Sequence, residues 1–302
     1  MKVVYGHTDS IYVQVPMNRT GEVLDLLNTK VREKFPNVMG LEEHPVVLEF
    51  EKYYESLGVG ITKNRNAGLI SWKDGEYLDE PEFVMTGFSA KRVAITKLAK
   101  TVQLEVLNRW VAQQSEKEIT DYLRKEYNRI LKGNFSIDEV INRTRFRPER
   151  FQYKCESCDF TYSVDDLLEI HNEFSTNAFC KKCGDDLSIV TLAGKRPQIS
   201  SGVEGVLWYN QFASSPITDS YIYMKVSDDT NRPSYVNPIT GQRKRPSFVS
   251  APNLVDLETE KPDYKHYADS VIKKAEPIYR AMGWDLNKIT IDENQTTLDK
   301  WW

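Results

Sequence analysis

The sequence predicts an α+β fold: an antiparallel hairpin and sheet with helices, then a mainly helical part interrupted by a small cysteine-bounded ribbon. Three observations carry that prediction. Two β-rich alternating runs, Val3–Tyr5 and Ile11–Val15, flank a short polar turn near the start. Apolar residues recur at helical spacing over 20–35, 95–110, 116–131 and 263–282. The four cysteines fall into two CxxC pairs.

The chain has 302 residues, 40% of them hydrophobic and 28% charged, with a formal net charge of −4. That length buries one or two cores and excludes both a disordered chain and a mini-protein. No apolar run reaches the roughly 18 residues of a membrane span, and no secretory apolar segment opens the chain. The expectation is a cytoplasmic protein with no membrane partner. Mild acidity decides nothing about nucleic acid, because a local basic face binds phosphate within an acidic chain.

The first element is the hairpin, with Gly6, His7, Thr8 and Asp9 as its turn. A hairpin alone is marginal in water, so this one is expected to join a larger sheet. The chain starts one residue before the first strand, and the sheet neighbours are expected from elsewhere. Residues 20–35 follow as a helix, with Val23, Leu26, Leu27 and Val31 on one face and Thr20 as N-cap. Ile95, Leu98, Ala99, Val102, Val106 and Trp110 form the stripe of the next helix, capped by Thr96. Helical patterns cover 116–131 and 136–142, the second opened by the capping box Ser136–Glu139. Residues 200–262 read as short strands and loops. The last helix, 263–282, ends at Gly283 and is expected to kink at Pro277.

Cys155 and Cys158 are separated by 21 residues from Cys180 and Cys183, with Gly184 suited to a tight turn. Four thiolates at this spacing point to a closed, structural Zn²⁺ site over about 151–191; free thiols and an iron–sulfur cluster are the alternatives. His171, between the pairs, is not needed as a ligand.

Within the hairpin, the string YGHTDS resembles the YGDTDS segment of family B DNA polymerases. The resemblance continues in order. Residues 62–70, TKNRNAGLI, are similar to the family's TKKRYAGLI-type duplex-contacting segment. Residues 87–103 are similar to the stretch that leaves the palm and enters the thumb, and SYIYMKV at 220–226 to a strand before the last thumb helices. The passage from Tyr264 to Asp285 resembles the final thumb helix, and 295–302, QTTLDKWW, matches the sliding-clamp motif at the position where the family carries it. The likeness is close over 1–112 and 263–302 and loose between them.

The resemblance implies a DNA-directed DNA polymerase with two-metal chemistry, in which Asp9 is the catalytic Mg²⁺ ligand. Mg²⁺ takes hard oxygen ligands, so a second carboxylate must converge with Asp9. The family keeps it in a DxxSLYP motif, which these 302 residues lack, as they lack the fingers and exonuclease motifs. The expectation is the palm-and-thumb fragment of a split polymerase, working with a larger subunit at the replication fork. His7 stands where the family usually has Asp, which removes one negative charge near the metals. Glu51 is either an accessory carboxylate or a solvated strand-edge residue.

Lys63, Asn64 and Arg65 are the candidate contacts to the primer–template duplex, and Lys91, Arg92, Lys97 and Lys100 a candidate basic face on the same DNA. Arg243, Lys244 and Arg245 are a DNA contact or a solvated turn. Gln295, Leu298, Trp301 and Trp302 are the candidate plug for a PCNA-type clamp. The division expected is palm over 1–112, thumb over 113–150 and 192–290, ribbon over 151–191 and clamp tail over 291–302. The competing reading is a catalytically inactive, polymerase-like scaffold that binds DNA and the clamp. Its motivation is His7 and the altered 63–66 segment.

Overall fold

The computed structural model describes residues 2–7, 9–92, 94–163, 179–198, 200–228, 231–237 and 242–291. The chain forms two compact units. One comprises Met1–Phe88, Leu104–Asp121 and Ala275–Ile291; the other comprises Ser89–Gln103 and Tyr122–Lys274.

The first unit opens with strands β1 (Lys2–His7) and β2 (Ser10–Gln14), paired antiparallel from Lys2↔Gln14 to His7↔Ser10. Gly6 and His7 therefore belong to the strand and not to the turn. The expected larger sheet is not observed: among the described residues this sheet has two strands. Helix α1 (Thr20–Lys34) follows, and Thr20 is its first residue, not its N-cap. Its hydroxyl donates to Met17 O at 2.9 Å, because a 3-10 turn over Met17–Arg19 leads directly into the helix.

Strands β3 (Lys52–Val59), β4 (Asn66–Lys73) and β5 (Glu76–Thr86) form an antiparallel sheet in that order. Asp74 and Gly75, with φ of 53° and 95°, make the two-residue connection between β4 and β5. An Asp-Gly pair adopts this left-handed turn at low cost, and its twist matches the strands it joins. Behind β3 lies Trp110: a Cβ on Gly58 would stand 2.4 Å from its indole ring. That ring belongs to helix α2 (Lys97–Val111), which begins as expected after Thr96, whose Oγ1 accepts the Ala99 N–H at 3.2 Å. Helix α3 (Glu116–Leu131) opens with a capping box absent from the sequence reading. Ser115 Oγ donates to Glu118 Oε2 at 2.7 Å and Ser115 N donates to the same oxygen at 2.8 Å, and these bonds, the hydroxyl's first, hold the Glu118 carboxyl below its usual range.

In the second unit the expected capping box at Ser136 is present, with Glu139 Oε2 2.8 Å from Ser136 N, but it opens only one turn, α4 (Ile137–Val140). Strand β6 (Asn142–Arg145) follows, then β7 (Phe151–Cys155), β8 (Thr161–Ser163) and β9 (Leu187–Thr191), which pair antiparallel in the order β8-β7-β9. Helix α5 (Ser201–Phe212) occupies a stretch expected to be loop and strand. Gly202 and Gly205 mimic loop glycines in the sequence, but they are contact points. A Cβ on Gly205 would stand 2.4 Å from Ser250 Oγ, and one on Gly202 2.6 Å from the Tyr221 hydroxyl. Those partners lie on β10 (Ser220–Lys225) and, past the short β11 (Tyr235–Val236) and β12 (Arg243–Lys244), on β13 (Phe248–Ala251). The sheet order is β13-β10-β6. Helix α6 (Tyr264–Met282) runs through Pro277 without interruption and continues into the first unit. There the Tyr279 hydroxyl pairs with Thr120 Oγ1 at 2.7 Å.

One hydrophobic cluster joins the cysteine ribbon to the rest of the second unit. Tyr153, Cys155, Tyr162 and Cys180 share it with Val206 and Leu207 of α5 and Tyr221 of β10. The ribbon is thus part of this unit's core.

Candidate active site and metal centre

Because the β1–β2 ladder closes at His7↔Ser10, Asp9 stands at the hairpin tip, exposed. A chain of rings ties the hairpin to the neighbouring sheet. Tyr5 lies 5.3 Å from Tyr12, Tyr12 lies 5.8 Å from Tyr54 on β3, and Tyr53 OH donates to Val15 O at 3.2 Å. Burial, and then the neighbouring Tyr12, push the Tyr54 phenol well above its usual range, so it stays neutral. Between β2, α1 and β3 opens a cleft of about 990 Å³, lined by Asp9 together with Glu49, Glu51 and Glu55. Glu51 is exposed and pairs with Lys52 Nζ at 2.6 Å, which raises the lysine's pKa. Glu49 and Glu55 were not singled out in the sequence; their signal was the acidic spacing in LEFEKYYES.

Lys63, Asn64 and Arg65 lie in the turn between β3 and β4, with Lys63 and Asn64 exposed. Asn64 is held at φ 60°, and Gly60 N donates to Arg65 O at 2.8 Å. Tyr5 OH donates to Asn64 Oδ1 at 3.4 Å, so this turn and the Asp9 hairpin stand side by side in one unit. Gly87 packs against the turn at φ 74°, where a Cβ would sit 1.9 Å from Asn64 O. Gly87→Ala is expected to cost about 1–3 kcal/mol in backbone strain, with more from displacing Asn64. A lower unfolding midpoint should follow; an unchanged midpoint would contradict the packing.

Lys91, Arg92, Lys97 and Lys100 belong to the second unit and are exposed. Lys97 pairs with Asp138 at 3.3 Å. Gln103, missed in the sequence, fixes the turn that carries Lys91. Its Oε1 accepts from Ser89 Oγ at 2.9 Å and Ala90 N at 2.7 Å, and its Nε2 donates to Lys274 O at 3.0 Å. Arg243 and Lys244 lie on β12, and Lys244 is tied to Glu204 at 2.7 Å. His171, Gln295, Leu298, Trp301 and Trp302 lie outside the described residues.

The two CxxC segments turn back on themselves in the same way. Cys155 N donates to Phe160 O at 2.9 Å, and Cys180 N to Asp185 O at 2.7 Å. The residue after each second cysteine is left-handed, Asp159 at φ 56° and Gly184 at φ 85°. All four Sγ atoms lie within 4.8 Å of one another, with Cys155–Cys183 at 3.4 Å, Cys158–Cys180 at 3.5 Å and Cys158–Cys183 at 3.7 Å. A tetrahedron of sulfurs about 2.3 Å from a central zinc has edges of about 3.8 Å, so this donor set fits. The Tyr162 hydroxyl, 3.4 Å from Cys180 Sγ, and the Lys182 N–H favour the Cys180 thiolate and lower its pKa to about 6.

The model of DNA polymerase family B matches residues 1–164, over half of the 302. A DNA polymerase from Archaeoglobus fulgidus is 31% identical over 140 residues, covering 46% of this chain and 16% of that protein. The DNA polymerase zeta catalytic subunit of Arabidopsis thaliana is 28% identical over 141 residues, covering 46% of this chain and 7% of that protein. The solved family B DNA polymerase from the hyperthermophilic archaeon Pyrobaculum calidifontis shares the fold, at TM-score 0.50 and 18% identity over 92% of this chain and 26% of that one. The chain therefore spans only a small part of the length of these relatives. With an ordered match over more than half its residues, the chain belongs to DNA polymerase family B.

Proposed function

We propose that this chain supplies the palm-and-thumb portion of a DNA-directed DNA polymerase and works with a larger chain. That larger chain brings the fingers, the exonuclease and the second metal-binding carboxylate. The observation that carries the reading is the pairing, in one unit, of the Asp9 hairpin with the Lys63–Arg65 turn. Residues 1–112 serve as palm, 113–150 and 192–290 as thumb, 151–191 as a zinc-braced ribbon, and 291–302 as a clamp-binding tail.

Asp9 would hold Mg²⁺ jointly with a carboxylate of the larger chain. Of the two ions such a site takes when bound, one would activate the primer 3′-hydroxyl and the other would neutralise the leaving pyrophosphate of the dNTP. The protein's part is placement. The Tyr5–Tyr12–Tyr54 contacts keep the hairpin fixed against β3, and the Tyr5–Asn64 bond keeps the duplex-gripping turn in step with it. Lys63 and Arg65 contact phosphate, Asn64 a base edge, and Lys91, Arg92, Lys97 and Lys100 add sequence-independent attraction. Cys155, Cys158, Cys180 and Cys183 hold a structural Zn²⁺ with no open position for substrate.

The test is template-directed incorporation by the chain together with the partner that co-purifies with it in fixed ratio. Incorporation that follows the template supports the reading; a complex that binds duplex without extending it favours the inactive scaffold, to which His7 lends weight. Replacing Lys63 and Arg65 together by alanine should make the slope of log affinity against log salt shallower by about 2, close to one per phosphate contact. An unchanged slope in a fluorescence-anisotropy titration would place the duplex elsewhere. Deleting Gln295–Trp302 should abolish clamp-stimulated synthesis and leave short extensions intact, because the tail acts by raising local concentration at the primer end. Stimulation that survives the deletion contradicts the clamp assignment.

A further inference from the structure

The four sulfurs of the cysteine ribbon are not equivalent. Cys155 is fully buried and Cys180 is 2% exposed, whereas Cys158 is half-buried and Cys183 is exposed. Hydrogen bonding separates Cys180 from Cys183 further. Cys180 Sγ takes the Tyr162 hydroxyl at 3.4 Å and the Lys182 N–H at 3.4 Å. Cys183 receives the Asp185 N–H, but it also faces that residue's carboxylate, whose Oδ2 lies 3.8 Å from its Sγ. A thiol that coordinates zinc is deprotonated outright. In that state Cys183 has no proton to give Asp185, and two negative groups stand side by side in solvent. Donors that share a thiolate's charge make it less reactive, and a neighbouring carboxylate has the opposite effect.

We infer that Cys183 is the reactive sulfur of the ribbon, the point at which a peroxide or other thiol-directed electrophile attacks, with Cys155 as the resolving thiolate. The inference rests on the structural-zinc reading of the four cysteines. Cysteines that sense oxidants are exposed thiolates with a second cysteine within reach. Cys183 is the exposed sulfur, and Cys155 Sγ lies 3.4 Å from it. In the first step Cys183 Sγ attacks one peroxide oxygen, the O–O bond breaks and hydroxide leaves, so that Cys183 becomes a sulfenic acid. Cys155 Sγ then attacks the Cys183 sulfur, the S–S bond forms and the second oxygen leaves as hydroxide. Two thiolates have given up two electrons, the peroxide has taken them, and two protons from solvent turn the hydroxides into water. Cys158 and Cys180 are then the only thiolates of the four left, too few to keep the ion in a closed site. The effect reaches beyond the ribbon, because Cys155 and Cys180 pack with Val206 and Leu207 of α5 and Tyr221 of β10. Oxidation at Cys183 therefore loosens the second unit, and reduction with zinc resupplied restores it.

The experiment assays the full chain for zinc and then treats it with less than one equivalent of N-ethylmaleimide. Peptide mass spectrometry is expected to find the adduct on Cys183 at least about fivefold more often than on any other cysteine. A chromophoric chelator should report zinc release in step with that adduct. Hydrogen peroxide in place of the maleimide should give a Cys155–Cys183 disulfide and faster hydrogen exchange in α5 and β10. Asp185→Asn keeps the backbone groups of that residue, so zinc content should hold. Alkylation of Cys183 should nevertheless slow by about fivefold, the factor that two like charges about 4 Å apart in water are worth. First adducts on Cys155, Cys158 or Cys180, or a Cys183 rate indifferent to Asp185→Asn, would overturn the inference. The two readings are told apart by the zinc assay. A chain without zinc defeats the zinc reading and this inference with it, whereas a zinc-loaded chain attacked first at another sulfur defeats the inference alone.

Discussion

Replacing Asp9 by alanine in the assembled enzyme is expected to lower single-turnover primer extension by about a thousandfold. A catalytic metal contributes several kcal/mol to the transition state, and each 1.36 kcal/mol is tenfold in rate. Asp9 is exposed at a hairpin tip, so its loss should move stability by no more than about 0.5 kcal/mol. Duplex affinity should hold too, because the proposed phosphate contacts lie at Lys63 and Arg65. The expected signature is a collapsed rate with an unchanged melting curve and unchanged primer–template binding. Asp9→Asn should behave like the alanine variant, since it keeps the shape and removes the charge. Extension within about threefold of the parent rate would falsify the catalytic assignment and leave the scaffold reading in its place.

The second large effect concerns the four cysteines. Cys155 is fully buried and Cys180 nearly so, within the cluster that contains Val206, Leu207 and Tyr221. Removing the ion should therefore unsettle α5 and β10 along with the ribbon. Structural zinc in small sites contributes about 10–16 kcal/mol of apparent binding energy, which acts as folding energy. The chain is expected to carry one equivalent of zinc by elemental analysis. Chelation, or Cys155→Ser, should lower the melting temperature of the second unit sharply and expose β7 and β9 to exchange. A chain that purifies without zinc and melts identically with chelator would contradict the site. Iron in its place would turn the assignment to a cluster.

The features legible in the sequence were those written in local spacing. Strand alternation marked β1 and β2, the CxxC pairs marked the four thiols, and Thr96 and Ser136 marked helix starts. The turn-forming Asp74-Gly75 pair and the Ser115–Glu118 box were equally local and went unread. Helix α5 was hidden because Gly202 and Gly205 serve close packing against Tyr221 and Ser250, a purpose that composition does not distinguish from a loop. Thr20 misled because a 3-10 turn over 17–19 supplies the preceding structure that an N-cap normally marks. Within the candidate site, Asp9 and the 63–65 turn were legible through the resemblance of their strings. The links between them were not. Tyr5 meets Asn64 across 59 positions of chain, and Gly87 meets the same asparagine from the far end of β5. Gln103 likewise joins Ser89 to Lys274 through contacts that no local pattern announces.

The central claim is that Asp9 is half of a shared active site, and complementation tests it most directly. The chain and the proposed larger chain are purified apart, then assayed for template-directed primer extension singly and at equal concentration. The account predicts no incorporation by either alone, and incorporation by the mixture that vanishes with Asp9→Ala. Full activity of the larger chain by itself, or a mixture indifferent to Asp9, would contradict it.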